Sequence, residues 1–172
     1  LPAVLPLLEP AARLYAHPAA LGPKFTVRPG KPAYPAGLKD PEDLRPRFSL
    51  SADPAELAPG ATLSGEVPRL TDFEDVGGPF FLDAAGKHKD ALPDDQSLIL
   101  DTPGGTVVLT GCAHAGLINI LHRVADLTGR RTFRAVVGGL HMGSASPQRI
   151  ARTLDELSAF DIETIGPVHC SG

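Results

Sequence analysis

The sequence predicts an α/β (α+β) fold, and three observations carry that prediction. From Gln96 onward short β-branched runs alternate with two amphipathic stretches in the order strand, helix, strand, helix, strand. Each strand-like run ends on glycine-bearing segments, Gly111, Gly138-Gly139 and Gly166, as expected where a chain leaves a sheet through a sharp bend. Of the 18 prolines, 16 precede Gly104, so the first part is confined to short strands, turns and loops.

Ala3 to Ala12 is rich in alanine and leucine and reads as a short helix; Arg13 to Ala16 alternates as a strand. Between Pro18 and Pro68 no long helix or central strand is expected, and Gly22-Pro23, Pro29-Gly30 and Pro59-Gly60 mark turns. Ser97–Leu100 and Thr106–Thr110 form a hairpin across a five-residue linker, Asp101 to Gly105. Leu117, Ile118, Ile120, Leu121, Val124 and Leu127 share one helical face, and Gly129 stands at the C-terminal cap position. Phe133 to Val137 is a strand. Ser146 caps a second helix with Pro147 in its first turn and Ile150, Leu154 and Leu157 on its buried face; Ile162 to Ile165 is the last strand.

Length and charge narrow the function classes. A chain of 172 residues supports one core, so residues 1–172 read as a single domain. No run approaches the roughly 20 apolar residues of a membrane span. A net charge of -4 gives no basic footprint for nucleic acid. Two cysteines are too few for a disulfide scaffold, which points to a reducing, cytoplasmic setting. The chain opens Leu1-Pro2-Ala3-Val4 without methionine or signal segment, and stops directly after a strand-like run, so it reads as an excised piece.

The expected strands are parallel and end at one sheet edge, each followed four residues later by a histidine: His114 after Thr110, His141 after Val137 and His169 after Ile165. Imidazoles delivered from successive strand ends can converge on one metal ion. Any one of them alone reads more simply as a hydrogen-bonded loop histidine; the three together point to a metal site. His122 falls on a solvated helix face, His88 in a charged loop between two lysines, and His17 is either structural or at a pocket rim. Cys112 and Cys170 flank the same edge, as buried small side chains or, for Cys112, as a thiolate ligand or nucleophile. Asp94-Asp95 is either a polar turn or a carboxylate pair.

Four segments in order, Pro93-Asp94-Asp95-Gln96-Ser97-Leu98, Thr110-Gly111-Cys112-Ala113-His114-Ala115-Gly116, Val137-Gly138-Gly139-Leu140-His141 and Gly166-Pro167-Val168-His169-Cys170-Ser171-Gly172, resemble the metallo-β-lactamase-fold hydrolases. The nearest branch is the one described as dihydropteroate-synthase-like or related to ribofuranosyl-aminobenzene phosphate synthase. Tyr15-Ala16-His17-Pro18 with Lys24-Phe25 extends the resemblance toward the start of the chain. It implies a four-layer αββα sandwich with mixed sheets, and one or two divalent transition-metal ions, zinc foremost, at a sheet edge. His114 and His169 match metal ligands, and His141 matches either a ligand or a contact to the leaving group. His141, Asp95 and Cys112 are the residues assigned to catalysis, with Asp94, Asp95 or Cys112 orienting the ligands. The implied reaction is metal-dependent hydrolysis of a phosphoester or related ester on a small molecule.

The family's His-x-His-x-Asp-His segment is absent, and Leu1-Pro2-Ala3-Val4 looks like the stretch directly after that segment. The resemblance therefore implies an incomplete ligand set, an inactive 172-residue piece, and sheet edges and apolar faces covered by a missing N-terminal segment, another chain or a second copy. Two other functions fit the residues. One is a non-catalytic module holding a phosphate or pterin-like ligand at Gly138-Gly139 and Gly143. The other is metal-independent chemistry with Cys112 as nucleophile and His114 as base.

Overall fold

Proline spacing sets what the first half of the chain can build. In the computed structural model, which describes residues 8, 9, 11–38 and 44–172, the strands before residue 82 are two to four residues long. The helix expected over 3–12 falls mostly outside the described residues. The chain divides into two compact units: the described residues up to Ala52 with Gly78–Asp94, and Asp53–Gly77 with Asp95–Gly172.

In the first unit β1 (Leu14–Ala16) pairs parallel with β4 (Phe48–Leu50), and β2 (Phe25–Thr26) lies between β3 (Tyr34–Pro35) and β7 (Phe80–Phe81), antiparallel to both. The strand expected at Arg13 to Ala16 is present. Gly22 closes the 3-10 turn Pro18–Leu21, and Gly30 takes the left-handed turn conformation at φ +70. Lys24 is held at 2.7 Å by both Asp90 and Asp94. Burial pushes its pKa down, but the two carboxylates outweigh that and leave it raised.

The second unit is built on a six-stranded mixed sheet. Its members are β5 (Ala55–Ala58), β6 (Ala61–Leu63), β8 (Ser97–Thr102), β9 (Gly105–Thr110), β11 (Ala135–Gly139) and β13 (Ile165–Val168), in the order β13-β11-β9-β8-β6-β5. β9, β11 and β13 are parallel, as the alternating pattern predicts; β5, β6 and β8 are antiparallel to their neighbours. β6 is a proline-free interior strand inside the stretch where only edge pieces are expected, reached through the Pro59-Gly60 turn with Gly60 at φ +77. The β8–β9 hairpin is tighter than predicted. Thr102 pairs with Gly105 across Pro103-Gly104, and the Thr102 hydroxyl donates to the Gly105 carbonyl and accepts from Gly104 N–H.

Helix α1 (Leu117–Thr128) ends at Gly129, whose left-handed φ of +69 and N–H to Ala125 make the expected cap. Its buried face includes Asn119 and Ala125 and excludes Leu127, which is exposed. His122 is half-buried, its ring meeting that of Phe160 in a T-shaped contact, and so is less solvated than expected. The run Phe133 to Val137 is broken at Arg134: Phe133 belongs to β10 (Thr132–Phe133), which pairs with β12 (Asp161–Ile162), while β11 joins the large sheet. The expected last strand divides the same way, between β12 and β13.

Ser146 caps α2 (Pro147–Leu157) by accepting from Arg149 N–H, as predicted. The buried stripe is turned by about one residue from the expected one. Arg149 and Thr153 face inward while Ile150 and Leu154 are exposed, because the Arg149 guanidinium is anchored at 2.6 Å to Asp75. The core gathers Ile99, Val108 and Val136 from the sheet, Leu117, Ile120, Leu121 and Val124 from α1, and Phe133 stacked on Phe160. Burying each such side chain stabilises by about 1.5–3 kcal/mol. Among the described residues no helix is long and apolar enough to cross a membrane.

Candidate metal centre

Because β9, β11 and β13 are parallel, the loops at their C-terminal ends leave from one edge of the sheet. The equal four-residue spacing does not hold. His114 follows Thr110 by four residues, but β11 runs on to Gly139 and β13 to Val168, so His141 follows by two and His169 at once. Of the four non-glycine residues with left-handed φ among the described residues, Ala113 (+57), His141 (+47) and His169 (+56) lie in these three loops. Each such conformation costs on the order of 1–3 kcal/mol, which the surrounding contacts must supply.

The imidazoles of His114 and His141 meet with ring centroids 4.1 Å apart, tilted by 52°. Two successive carbonyls fix them: Val76 accepts from His114 Nδ1 at 2.8 Å and Gly77 from His141 Nε2 at 2.9 Å. A carbonyl only accepts, so neutral His114 carries its proton on Nδ1 and has a lone pair at Nε2; neutral His141 is the opposite tautomer. Gly77 must be glycine here, since its φ is +67 and a Cβ would lie 2.2 Å from His141 Cδ2. Burial holds the His114 pKa below 6.5 against the opposing Val76 hydrogen bond.

The segment that carries these carbonyls is tied down at several points. Glu74, buried, accepts from Ile118 and Asn119 N–H at 2.9 and 3.0 Å and from the Thr71 hydroxyl at 3.1 Å. It thereby caps α1, whose own N-cap residue, Gly116, has no side chain to do so. Asn119 reciprocates: its Oδ1 accepts from Leu70 and Thr71 N–H, and its Nδ2 donates to Thr71 Oγ1 and the Ala115 carbonyl. Arg149 holds Asp75, and Arg152 holds Asp72 at 2.8 Å. Sequence reasoning missed Glu74 and Asn119. The available signal was a buried helix opening on glycine, which demands a cap from elsewhere, and Thr71-Asp72-Phe73-Glu74 has the spacing of a capping box.

The two neighbouring aspartates have different partners. Asp95 accepts from Ala115 N–H at 2.8 Å and so fixes the loop bearing His114; Asp94 pairs with Lys24. Cys112, His169 and Cys170 form a second cluster, with their ligating atoms all within 4.8 Å of one another. The structure thus groups His169 with the thiols and His114 with His141. Both cysteines are free and half-buried, and burial with the neighbouring Cys170 pushes the Cys112 thiol up to about 11. At that pKa the thiol is protonated near neutral pH, which is unfavourable for a nucleophile.

At the glycines expected to cradle a phosphate or pterin-like ligand, the direction a side chain would take is occupied mainly by backbone. A Cβ on Gly138 would fall 2.2 Å from the Thr110 carbonyl oxygen, one on Gly139 2.5 Å from that of Gly111, and one on Gly143 3.3 Å from Gly172 Cα. His17 is structural: it caps its 3-10 turn by accepting from Ala19 N–H. His88 is exposed and bonded to Asp83. A cleft of about 640 Å³ lies in the first unit among Arg13, Tyr15, Lys24, Phe48 and Asp94, with no histidine or cysteine in its wall.

No protein-family model matches the chain. It is 30% identical over 138 residues to 7,8-dihydropterin-6-methyl-4-(β-D-ribofuranosyl)-aminobenzene-5'-phosphate synthase of Methanocaldococcus jannaschii, covering 78% of this chain and 47% of that protein. An uncharacterized protein of the same organism is 31% identical over 126 residues, 73% of this chain and 45% of that one. The crystal structure of Tm1679, a metal-dependent hydrolase of the β-lactamase superfamily, superposes with a TM-score of 0.79 at 29% identity, over 93% of this chain and 60% of that one. The chain belongs to the metallo-β-lactamase superfamily. It spans just under half the length of the two curated relatives.

The donors of this superfamily member fit a metal ion. His141 Nδ1, the lone-pair nitrogen left by the Gly77 hydrogen bond, is buried with no hydrogen-bond partner among the described residues. A buried unpartnered acceptor costs roughly 1–3 kcal/mol, which a Lewis acid would relieve. Carbonyl-oriented imidazoles are a common arrangement behind metal ligands.

Proposed function

We propose that this chain contributes one side of the metal centre of a hydrolase acting on a phosphoester or related ester of a small molecule. The observation that carries the reading is the His114–His141 pair, held in opposite tautomers by the adjacent Val76 and Gly77 carbonyls. His114, His141 and His169 are the ligand candidates; the His-x-His-x-Asp-His segment of the resemblance is not among these 172 residues.

A bound divalent ion, zinc foremost, would polarise the scissile group and make hydroxide available at neutral pH. The chain's own residues prepare for it. Burial holds the His114 pKa below its ordinary value, which favours the neutral imidazole that a metal requires. The Val76 carbonyl fixes its tautomer, and Asp95 anchors the loop through Ala115 N–H. His141, placed against His114 with its Nε2–H held by the Gly77 carbonyl, presents Nδ1 as a ligand atom.

Metal analysis of the intact protein and of its His114→Ala and His169→Ala variants, with phosphoesterase assays, tests the reading. Loss of metal and of turnover is expected in both. Full metal content and full activity in both variants overturn it.

A further inference from the structure

We infer that Cys112, His169 and Cys170 form a thiolate–imidazole site for a thiophilic divalent ion. The inference rests on the metal-centre reading above and deepens it, by giving the centre sulfur donors on the His169 side. Among the described residues this is the group of three candidate donors whose ligating atoms all lie within 4.8 Å of one another. A tetrahedral ion with bonds of about 2.3 Å to sulfur and 2.0 Å to nitrogen needs donors about 3.5–3.8 Å apart. The difference of about 1 Å is within side-chain rotation, because His169 is exposed and both thiols are half-buried.

The backbone that carries the donors is fixed. Gly139 N–H bonds to the Gly111 carbonyl at 2.9 Å, tying β11 to the loop of Cys112. The Ser171 hydroxyl donates to the Val168 carbonyl at 2.7 Å and accepts from Leu140 N–H at 3.1 Å, pinning the turn of His169 and Cys170 beside the same strand. Gly139 leaves the space between the loops open. A Cβ there would stand 2.8 Å from Cys170 Sγ and 3.1 Å from Cys112 Cα. A weak bond joins the two cysteine loops directly, the Cys170 thiol donating to the Cys112 carbonyl at 3.6 Å. Binding would exchange it for metal–sulfur bonds. Two S–H protons leave to solvent, two metal–sulfur bonds and one metal–nitrogen bond form, and nothing is oxidised or reduced. Two sulfurs and one imidazole favour Zn2+, Co2+ or Cd2+ over Mg2+, Ca2+ or Mn2+.

The test is titration of the reduced, metal-free 172-residue chain with Co2+ alone. Thiolate ligation produces an intense near-ultraviolet sulfur-to-cobalt charge-transfer band; imidazole and oxygen ligation gives only weak visible absorption. The band is expected to saturate at one equivalent and to lose roughly half its intensity in Cys112→Ser and in Cys170→Ser. It should vanish in the double variant and persist in His114→Ala/His141→Ala. Circular dichroism checks that each variant is folded. Cadmium NMR of the unmutated, Cd2+-loaded chain gives a readout free of substitution, with sulfur ligation moving the resonance to high frequency. Visible absorption without the charge-transfer band, no binding, or a band unchanged in both serine variants overturns the inference. The hydrolase reading fails separately, through turnover and metal content in the His114 and His169 variants.

Discussion

Replacing Glu74 by alanine tests the account of how the histidines are placed. The substitution removes the acceptor for three donors at 2.9, 3.0 and 3.1 Å, two of them backbone N–H groups in the buried first turn of α1. A helix cap is worth about 0.5–2 kcal/mol, and a buried donor left unpaired costs about 1–3 kcal/mol. These overlap, so the sum is taken as about 3–4 kcal/mol, a large share of a total stability of about 5–15 kcal/mol. Glutamine keeps the shape and one acceptor oxygen and should lose about 1–2 kcal/mol. With a urea slope of about 2–3 kcal/mol/M, alanine should lower the denaturation midpoint by more than about 1 M and glutamine by about half that. Nitrogen NMR of the imidazoles, run alongside, should show His114 and His141 losing their single-tautomer signatures in the alanine variant. An alanine variant within about 0.5 kcal/mol of the parent, with both tautomers intact, refutes the reasoning.

Further substitutions and titrations separate the remaining contacts. Gly77→Ala places a methyl 2.2 Å from His141 Cδ2 at φ +67, so metal affinity should drop about 10- to 100-fold, measured by competition with a chelator. Cys112, raised from 9.0 to about 11, should alkylate about 100-fold more slowly than a free thiol at about pH 7.5, as monitored by mass spectrometry of the metal-free chain. His114 has its folded pKa depressed below 6.5. The unfolded chain therefore takes up the proton first, and stability should fall as pH drops from about 6.5 toward the folded value, with the slope reduced in His114→Gln. Asn119→Ala leaves the Leu70 and Thr71 N–H groups without their acceptor and should cost about 2–4 kcal/mol in urea denaturation.

Much of the sheet edge was legible because it is written in local patterns. The hairpin, Gly129 after α1, Ser146 before α2 and the parallel run of β9, β11 and β13 each rest on periodicity or on a cap within a few residues. The loops bearing His114, His141 and His169 came with those strands. What stayed hidden depends on contacts between distant residues. Glu74 caps a helix that begins 43 residues later, and Arg149 turns α2 through Asp75, 74 residues away, leaving Ile150 and Leu154 outside. Arg134 divides one apolar run between two sheets by giving its N–H to Thr106. The grouping of His169 with both cysteines depends on strand ends that the sequence locates only to within a residue or two.

The cap on α1 also bears on the order in which the chain acquires its structure. A helix whose cap is its own neighbour can complete its first turn locally, on the submicrosecond scale of helix formation. Here the first turn waits for Glu74, so a long loop must close before the last donors are satisfied, against the entropy of that closure. The middle of α1, with Ile120 and Val124, is free to form early, whereas the Val76 and Gly77 carbonyls reach their histidines only with the same late docking event. Registry of the imidazoles thus depends on the same long-range closure that completes the first turn of α1.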